Sequence, residues 1–393
     1  MVLGIRPDVI RASLIIKTLK QQLGDGFDFV WSGQHYSDNM KDVFFRQLDV
    51  PAPDQTLVLD TSSDQAVIGS LVSQLGNYLD EAKPEAVVFL GDTNTVTSSI
   101  AVASKNIPIV HIEGCMRSYD WRMPEEKFRT TIDHLSDRVY AYLEEYKQQG
   151  VLEGLDPDNI MVTGNPIVDV LEHYFTSGRV RLGEDSVSAL LSRYGVSSKR
   201  FFTMTSHRRE NVDSKASLSR IISLAGSAPG EVIFPAGYRT QQRIREFGIE
   251  IPKNVLILDP IGYTELMEIL VRSEAVLTDS GTIVEEAAVL GIPSVQMRTS
   301  TERPQVYDCG GSVKFDPHTE QSDQNYSSVI EAAVARKQAG FEHGLGDGMA
   351  SERIARDLIE RFHSGHWSGH QPKDGFRPIS RNFGYGLTEL GKA

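Results

Sequence analysis

Five short apolar runs between Phe201 and Met297 each stop at a polar or small-residue turn: Phe201–Thr205, Val232–Pro235, Val255–Leu258, Ala275–Leu277 and Ser294–Met297. Apolar runs this short, alternating with helical periods, are what a parallel sheet covered by crossover helices requires of a sequence. The first half of the chain repeats the pattern. Phe27–Trp31 stops at Ser32-Gly33-Gln34-His35, Ala86–Leu90 at Gly91-Asp92-Thr93-Asn94, Ile107–Ile112 at Glu113, and Ile160–Val162 at Thr163-Gly164-Asn165-Pro166. Two doubly wound α/β units are therefore expected. Ligands of such sheets bind outside the carboxyl ends of the strands, so the residues at these turns are the ones to examine.

The run Thr278-Asp279-Ser280-Gly281-Thr282-Ile283-Val284-Glu285-Glu286 follows the strand Ala275–Leu277 and opens a helix. Free amides and the positive end of a helix dipole converge at such a start, so Ser280, Gly281 and Thr282 form a candidate phosphate cradle. Glu286, about one turn on, is within reach of a ribose diol beside that phosphate. An ordinary βα turn with a capping Ser fits the same run. Near the start of the chain, Gly4-Ile5-Arg6-Pro7-Asp8 reads as another strand-to-helix turn, which puts Arg6 at a helix mouth.

The chain has 393 residues, too many for one hydrophobic core, which favours more than one domain. Residues 1–166 are read as the first, 167–350 as the second, with a hinge helix from Pro166. The amphipathic helix over 351–363 is expected to pack back toward the first domain, and 364–393 is a tail. A net charge of −13 argues against a nucleic-acid groove. No apolar stretch is long enough for a membrane span, and Arg6, Asp8 and Arg11 interrupt the first apolar run, so a cytoplasmic protein is expected. The two cysteines, Cys115 and Cys309, have no metal-ligand spacing, and no metal or cofactor is expected.

Asp92, Glu113 and Glu125 are three carboxylates at or near strand ends of the first domain. Carboxylates sharing a cleft raise one another's proton affinity, which suits general acid/base work near neutral pH. Capping a helix, or pairing with Arg117, Arg122 or Arg129, is the competing role for each. His207 lies between Ser206 and the pair Arg208-Arg209, an anion-contacting corner without a nucleophile elbow. Met297-Arg298-Thr299-Ser300-Thr301-Glu302-Arg303-Pro304 is a second charged loop at a strand end, otherwise read as solvated.

Taken in order, these motifs resemble those of the non-hydrolysing UDP-N-acetylglucosamine 2-epimerase family, which has a two-domain GT-B type fold. The segments are Gly4–Asp8, Ser32–His35, Gly91-Asp92-Thr93, His111-Ile112-Glu113, Arg117, Pro124-Glu125-Glu126, Arg129, Thr163–Pro166, His207–Glu210, Asp279-Ser280-Gly281 with Glu285-Glu286, and Thr301–Pro304. The resemblance implies inversion at C2 of a UDP-2-acetamido sugar, by loss and return of UDP through a glycal. Asp92, Glu113, Glu125 and His207 would carry the acid/base work. Arg6, Arg129, Ser280, Gly281, Thr282, Glu286 and Arg303 would bind the UDP-sugar.

UDP-GlcNAc and UDP-ManNAc are the default pair, and a homodimer is expected. Thr282 and Arg11 depart from the family's usual residues, and Asp120-Trp121-Arg122-Met123-Pro124 is similar to branches acting on 6-deoxy-talosamine or diacetamido-glucuronate sugars. A GT-B glycosyltransferase is the alternative of another class. Gln34 and Arg208 match part of an allosteric UDP-GlcNAc site found in some family members. Ser37 and Gly237 stand at its remaining polar positions, so a remnant without an absolute activator requirement is expected.

Overall fold

The computed structural model describes residues 1–33, 48–177, 183–196, 200–320 and 322–367. Thirteen strands form two sheets, and every strand pair is parallel. The first sheet runs β3-β2-β1-β4-β5-β6-β7, with β1 at Val2–Leu3, β2 at Val30–Trp31, β3 at Gln55–Thr56, β4 at Val87–Leu90, β5 at Ile109–Ile112, β6 at Arg138–Ala141 and β7 at Ile160–Val162. The second runs β10-β9-β8-β11-β12-β13, with β8 at Phe201–Thr205, β9 at Glu231–Pro235, β10 at Val255–Leu258, β11 at Val276–Thr278, β12 at Ser294–Met297 and β13 at Ser312–Phe315.

These strands form because the runs are continuous and apolar: β4, β5 and β12 are buried at every position, as sheets covered on both faces demand. In each sheet the order reverses next to its first strand, between β1 and β4 and between β8 and β11. Neighbouring crossover helices diverge there and leave a crevice at the carboxyl ends. Arg6 and Asp92 follow the two strands at the first reversal, and His207 and Ser280 follow the two at the second.

The helix α1, Arg6–Leu23, starts with Pro7 in its first turn and with Ile5 at the cap, where no side chain satisfies the first amides. Pro124–Leu135 is α2, and Pro166–Leu171 is α3, capped by the Asn165 side chain on the Ile167 amide. Gly281–Val289 is α4, capped by Ser280, and Ala350–Ser364 is α5. The apolar face of α5 (Ile354, Ala355, Leu358) packs on α1 and α3. Arg138 Nε and Tyr140 Oη of β6 also reach Asp357 Oδ2 of α5, at 3.0 and 2.7 Å.

One core cluster spans both sheets' layers. It joins Ile167, Val170, Leu171 and Phe175 to Tyr263, Met267, Val276, Ile283 and Ala287. The Phe175 and Tyr263 rings meet edge to face, 5.7 Å apart. This packing holds the two carboxyl edges facing each other. Cys115 and Cys309 are both free thiols.

Candidate active site

The turn after β4 ends in Asp92, and α2 carries Arg129 to it as an ion pair. Burial works against the charge on Asp92, but Arg129 outweighs it and holds the carboxyl below its ordinary range. Arg129 also donates to Glu126 Oε2 at 3.0 Å. Glu126 accepts in addition from the amides of Ser118 and Tyr119, at 2.9 and 2.7 Å, and so fixes the loop before α2. Its neighbour Glu125 is half-buried and, among the described residues, has no hydrogen-bond or ion-pair partner. One of the two adjacent carboxylates is committed to structure and the other is left available.

Glu113, just past β5, is 6% exposed and adopts φ +74°, a left-handed conformation uncommon for any residue but glycine. Its carboxylate stands between Arg11 of α1 and Arg303 of the loop after β12, the latter donating from Nη2 to Oε1 at 2.7 Å. Arg303 also pairs with Glu302, and its Nε lies 3.1 Å from Glu285 Oε1.

Glu302 itself is 1% exposed and faces four guanidiniums: Arg298 at 2.9 Å, Arg303, Arg129 at 3.9 Å and Arg208 at 4.0 Å. Burial disfavours its charge, yet the surrounding arginines hold it well below the usual carboxylate range. The loop from Arg298 to Pro304 is therefore not the solvated segment its polar composition allows. Arg298, Glu302 and Arg303 are all buried because opposite charges from several elements satisfy one another there.

At the second reversal, Asp279 is fully buried. It accepts from Ser206 Oγ at 2.9 Å and from the amides of His207 and Arg208 at 3.1 Å. It thereby shapes the corner after β8. The His207 side chain is 60% exposed, with Nδ1 3.4 Å from Asp279 Oδ1, so its ring is supported from behind and open in front. Ser280 accepts from the Ile283 amide, and Thr282 is partly exposed on the first turn of α4. A Cβ at Gly281 would lie 2.5 Å from Arg303 Nη1 and 3.0 Å from Glu302 Oε1, so only glycine lets the arginine cross the helix start.

Glu286 differs from an open diol-holding carboxylate. It is 1% exposed, its Oε1 accepts from Tyr263 Oη at 2.7 Å, and burial pushes its carboxyl up to about 8. Arg6 opens α1 and is partly exposed at the mouth of the crevice. Arg208 donates Nε to the Asp279 carbonyl at 3.1 Å, while Gln34 and Ser37 lie outside the described residues. Among the described residues, no group of His, Cys, Asp and Glu could hold a metal ion. No helix among them is long and apolar enough to cross a membrane.

The two reversal-point crevices thus face each other, joined by the Arg303–Glu113 hydrogen bond. Residues 18–359 match the UDP-N-acetylglucosamine 2-epimerase family model. The chain belongs to that family. A UDP-N-acetylglucosamine 2-epimerase of Methanocaldococcus jannaschii is 32% identical over 371 residues, covering 91% of this chain and 98% of the relative. A Pseudomonas aeruginosa UDP-2,3-diacetamido-2,3-dideoxy-D-glucuronate 2-epimerase is 31% identical over 367 residues, covering 91% and 98%.

The crystal structure of the M. jannaschii epimerase in complex with UDP-GlcNAc and UDP superposes with a TM-score of 0.82 at 31% identity, covering 91% of this chain and 98% of that one. The Neisseria meningitidis epimerase bound to UDP-GlcNAc gives 0.80 at 26% identity, with coverage of 91% and 98%. The GT-B type architecture of the epimerase family, expected from the motif order, is the one observed.

Of the residues singled out in the sequence, Asp92 and Arg129 meet, as do Glu113 and Arg303, and Gly281 lies under Arg303. Glu125 and Glu286 stand apart from those pairs. Motif reading passed over Glu302, Asp279 and Arg298 as actors, although all three stand directly at or after strand ends. A carboxylate and two arginines within six residues of the apolar run Ser294–Met297 were the available signal.

Proposed function

We propose that this chain epimerises a UDP-2-acetamido sugar at C2, with UDP-GlcNAc and UDP-ManNAc as the default pair. The observation that supports the reading is the Arg303–Glu113 hydrogen bond, which joins the carboxyl edges of the two sheets. In the forward direction a carboxylate removes the C2 proton, and the C2–H electron pair becomes the C1=C2 double bond. The C1–O pair leaves with UDP. Return of UDP to C1 and of a proton to the opposite face of C2 gives the epimer, so no electrons are lost and no redox partner is needed.

Asp92, Glu113 and Glu125 are the proton-transfer groups in this reading, and His207 assists at the departing diphosphate. Amides of Ser280, Gly281 and Thr282, with Arg6, Arg129 and Arg303, hold the diphosphate where charge develops. Glu286, one turn beyond the cradle, is the ribose-holding group in this reading only once its hydrogen bond to Tyr263 opens. Support comes from the cations, amides and carboxylates brought together where the crevices meet: a leaving pyrophosphate needs cations and amides, whereas C2 needs carboxylates.

Turnover in heavy water tests this. Deuterium should appear at C2 of product and of recovered substrate, and Asp92→Asn and Glu113→Gln should each lower turnover by about 10². Epimerisation without exchange at C2 would rule the elimination route out. A panel of UDP-sugars, including 6-deoxy and glucuronate forms, identifies the sugar.

A further inference from the structure

Below the two carboxylates lies a buried network that the proposed chemistry does not use directly. His111 of β5 and Asp133 of α2 are both fully buried, with Nδ1 2.7 Å from Asp133 Oδ1. The other ring nitrogen, Nε2, is 2.8 Å from the carbonyl oxygen of Gly91, the residue immediately before Asp92. Asp133 Oδ2 accepts from the Cys115 amide at 2.9 Å and from Arg117 Nη1 at 2.7 Å. Arg117 is anchored in turn on Glu153 Oε2 at 2.7 Å.

One histidine and one aspartate therefore grip both strand ends. His111 holds the turn that presents Asp92, and Asp133 holds the turn that presents Glu113. The backbone there needs holding, because Glu113 and Cys115 have φ +74° and +65°. Left-handed conformations are unfavourable for non-glycine residues and persist where the surroundings over-determine them. Gly114 between them has no room to move: a Cβ would lie 2.8 Å from Asp133 Oδ1 and 2.2 Å from Val139 Cγ1. The last inter-strand bonds run from the Gly91 amide to Ile112 O and from the Glu113 and Gly114 amides to Tyr140 O, each 3.1 Å, and past them His111 and Asp133 are the groups that brace the two turns.

We propose that His111 and Asp133 are positioning residues for the C2 proton transfer: they set the separation and orientation of the Asp92 and Glu113 carboxylates without touching substrate. The inference rests on the reading that those two carboxylates act at C2. Proton transfer is sensitive to misplacement of about 1 Å, which is enough to cost on the order of 10² in rate. UDP binding, whose groups in this reading come mainly from the second sheet, is expected to change far less than proton transfer when the network is altered.

The test compares wild type, Asp133→Asn and His111→Gln in heavy water, with UDP affinity and thermal midpoint measured for each. Leu75→Ala, in the helix Asp64–Ala82 of the same layer, serves as a control for general loss of stability. Expected for both network variants is a 10- to 100-fold fall in kcat and in C2 exchange, with KM and the UDP Kd within twofold of wild type. Should Asp133→Asn fail to fold, His111→Gln carries the test, since its amide can still donate toward Gly91. Normal kcat in a folded variant overturns the proposal. So does a fall that Leu75→Ala reproduces at equal midpoint, or a parallel loss of UDP affinity. Absence of C2 exchange in the wild type overturns the functional reading itself, and this inference with it.

Discussion

Arg303 and Glu113 are 190 residues apart in sequence and joined by a 2.7 Å hydrogen bond across the facing edges of the two sheets. Both are buried, and Arg303 simultaneously serves Glu285 and Glu302. The contact couples how the second sheet presents its cations to how the first presents its carboxylates.

Arg303→Met should be severely destabilising. It leaves Glu302 and Glu285 buried with fewer counter-charges, and breaking a buried pair costs about 3–5 kcal/mol. Arg303→Lys should recover part of that stability but not the turnover, because an ammonium cannot serve three carboxylates with one planar fork. Chemical denaturation and kcat of the two variants check this; a stable, active Arg303→Met protein would count against it.

Gly281→Ala should leave the fold intact and lower turnover. The new methyl falls 2.5 Å from Arg303 Nη1 and 3.0 Å from its Cζ, so the guanidinium must shift. Overpacking of this kind costs about 1–3 kcal/mol, or roughly 5- to 150-fold in UDP affinity if it falls on the bound state. Calorimetry with UDP, alongside far-UV circular dichroism, reads the effect. Unchanged affinity would show that Arg303 is not held over the cradle when UDP binds.

Glu286 should make stability fall as pH rises. Its carboxyl titrates near 8 when folded, against an ordinary 4.5, so the folded chain holds a proton that the unfolded chain has released between those values. Its contribution is fully present below about 4.5 and lost as pH passes through about 8. Asp8, pushed by burial up to about 7, acts in the same direction. The difference between wild type and Glu286→Gln isolates the one group. That difference should move in favour of the variant by at most about 1.4 kcal/mol per pH unit across this window. Parallel stability curves would show that Glu286 titrates normally.

His207→Asn should lower kcat by about 10² with little change in the thermal midpoint, since the ring is largely exposed and the backbone amide keeps its own bond to Asp279 when the ring is removed. A large fall in midpoint would assign the residue to structure.

The fold class was legible because parallel strands buried on both faces must be continuous apolar runs, and those runs are in the sequence as it stands. Ala86–Leu90 and Ile107–Ile112 mark β4 and β5 to within two residues, and the turns after them name Asp92 and Glu113. The capping Ser280 and the glycine after it were equally local, as helix starts depend on a few adjacent residues.

Charge partnership was not local. Nothing near Glu126 distinguishes it from Glu125, yet one is saturated by two amides, a hydroxyl and Arg129 and the other has no partner among the described residues. Glu302 reads as a solvated loop residue and is instead surrounded by four arginines drawn from three separate stretches of chain. Glu286 reads as open and is sealed by Tyr263. The physical reason is the same in each case. Secondary structure follows from neighbours in sequence, while the burial and pairing of a charge depend on which distant groups the two sheets bring to one place.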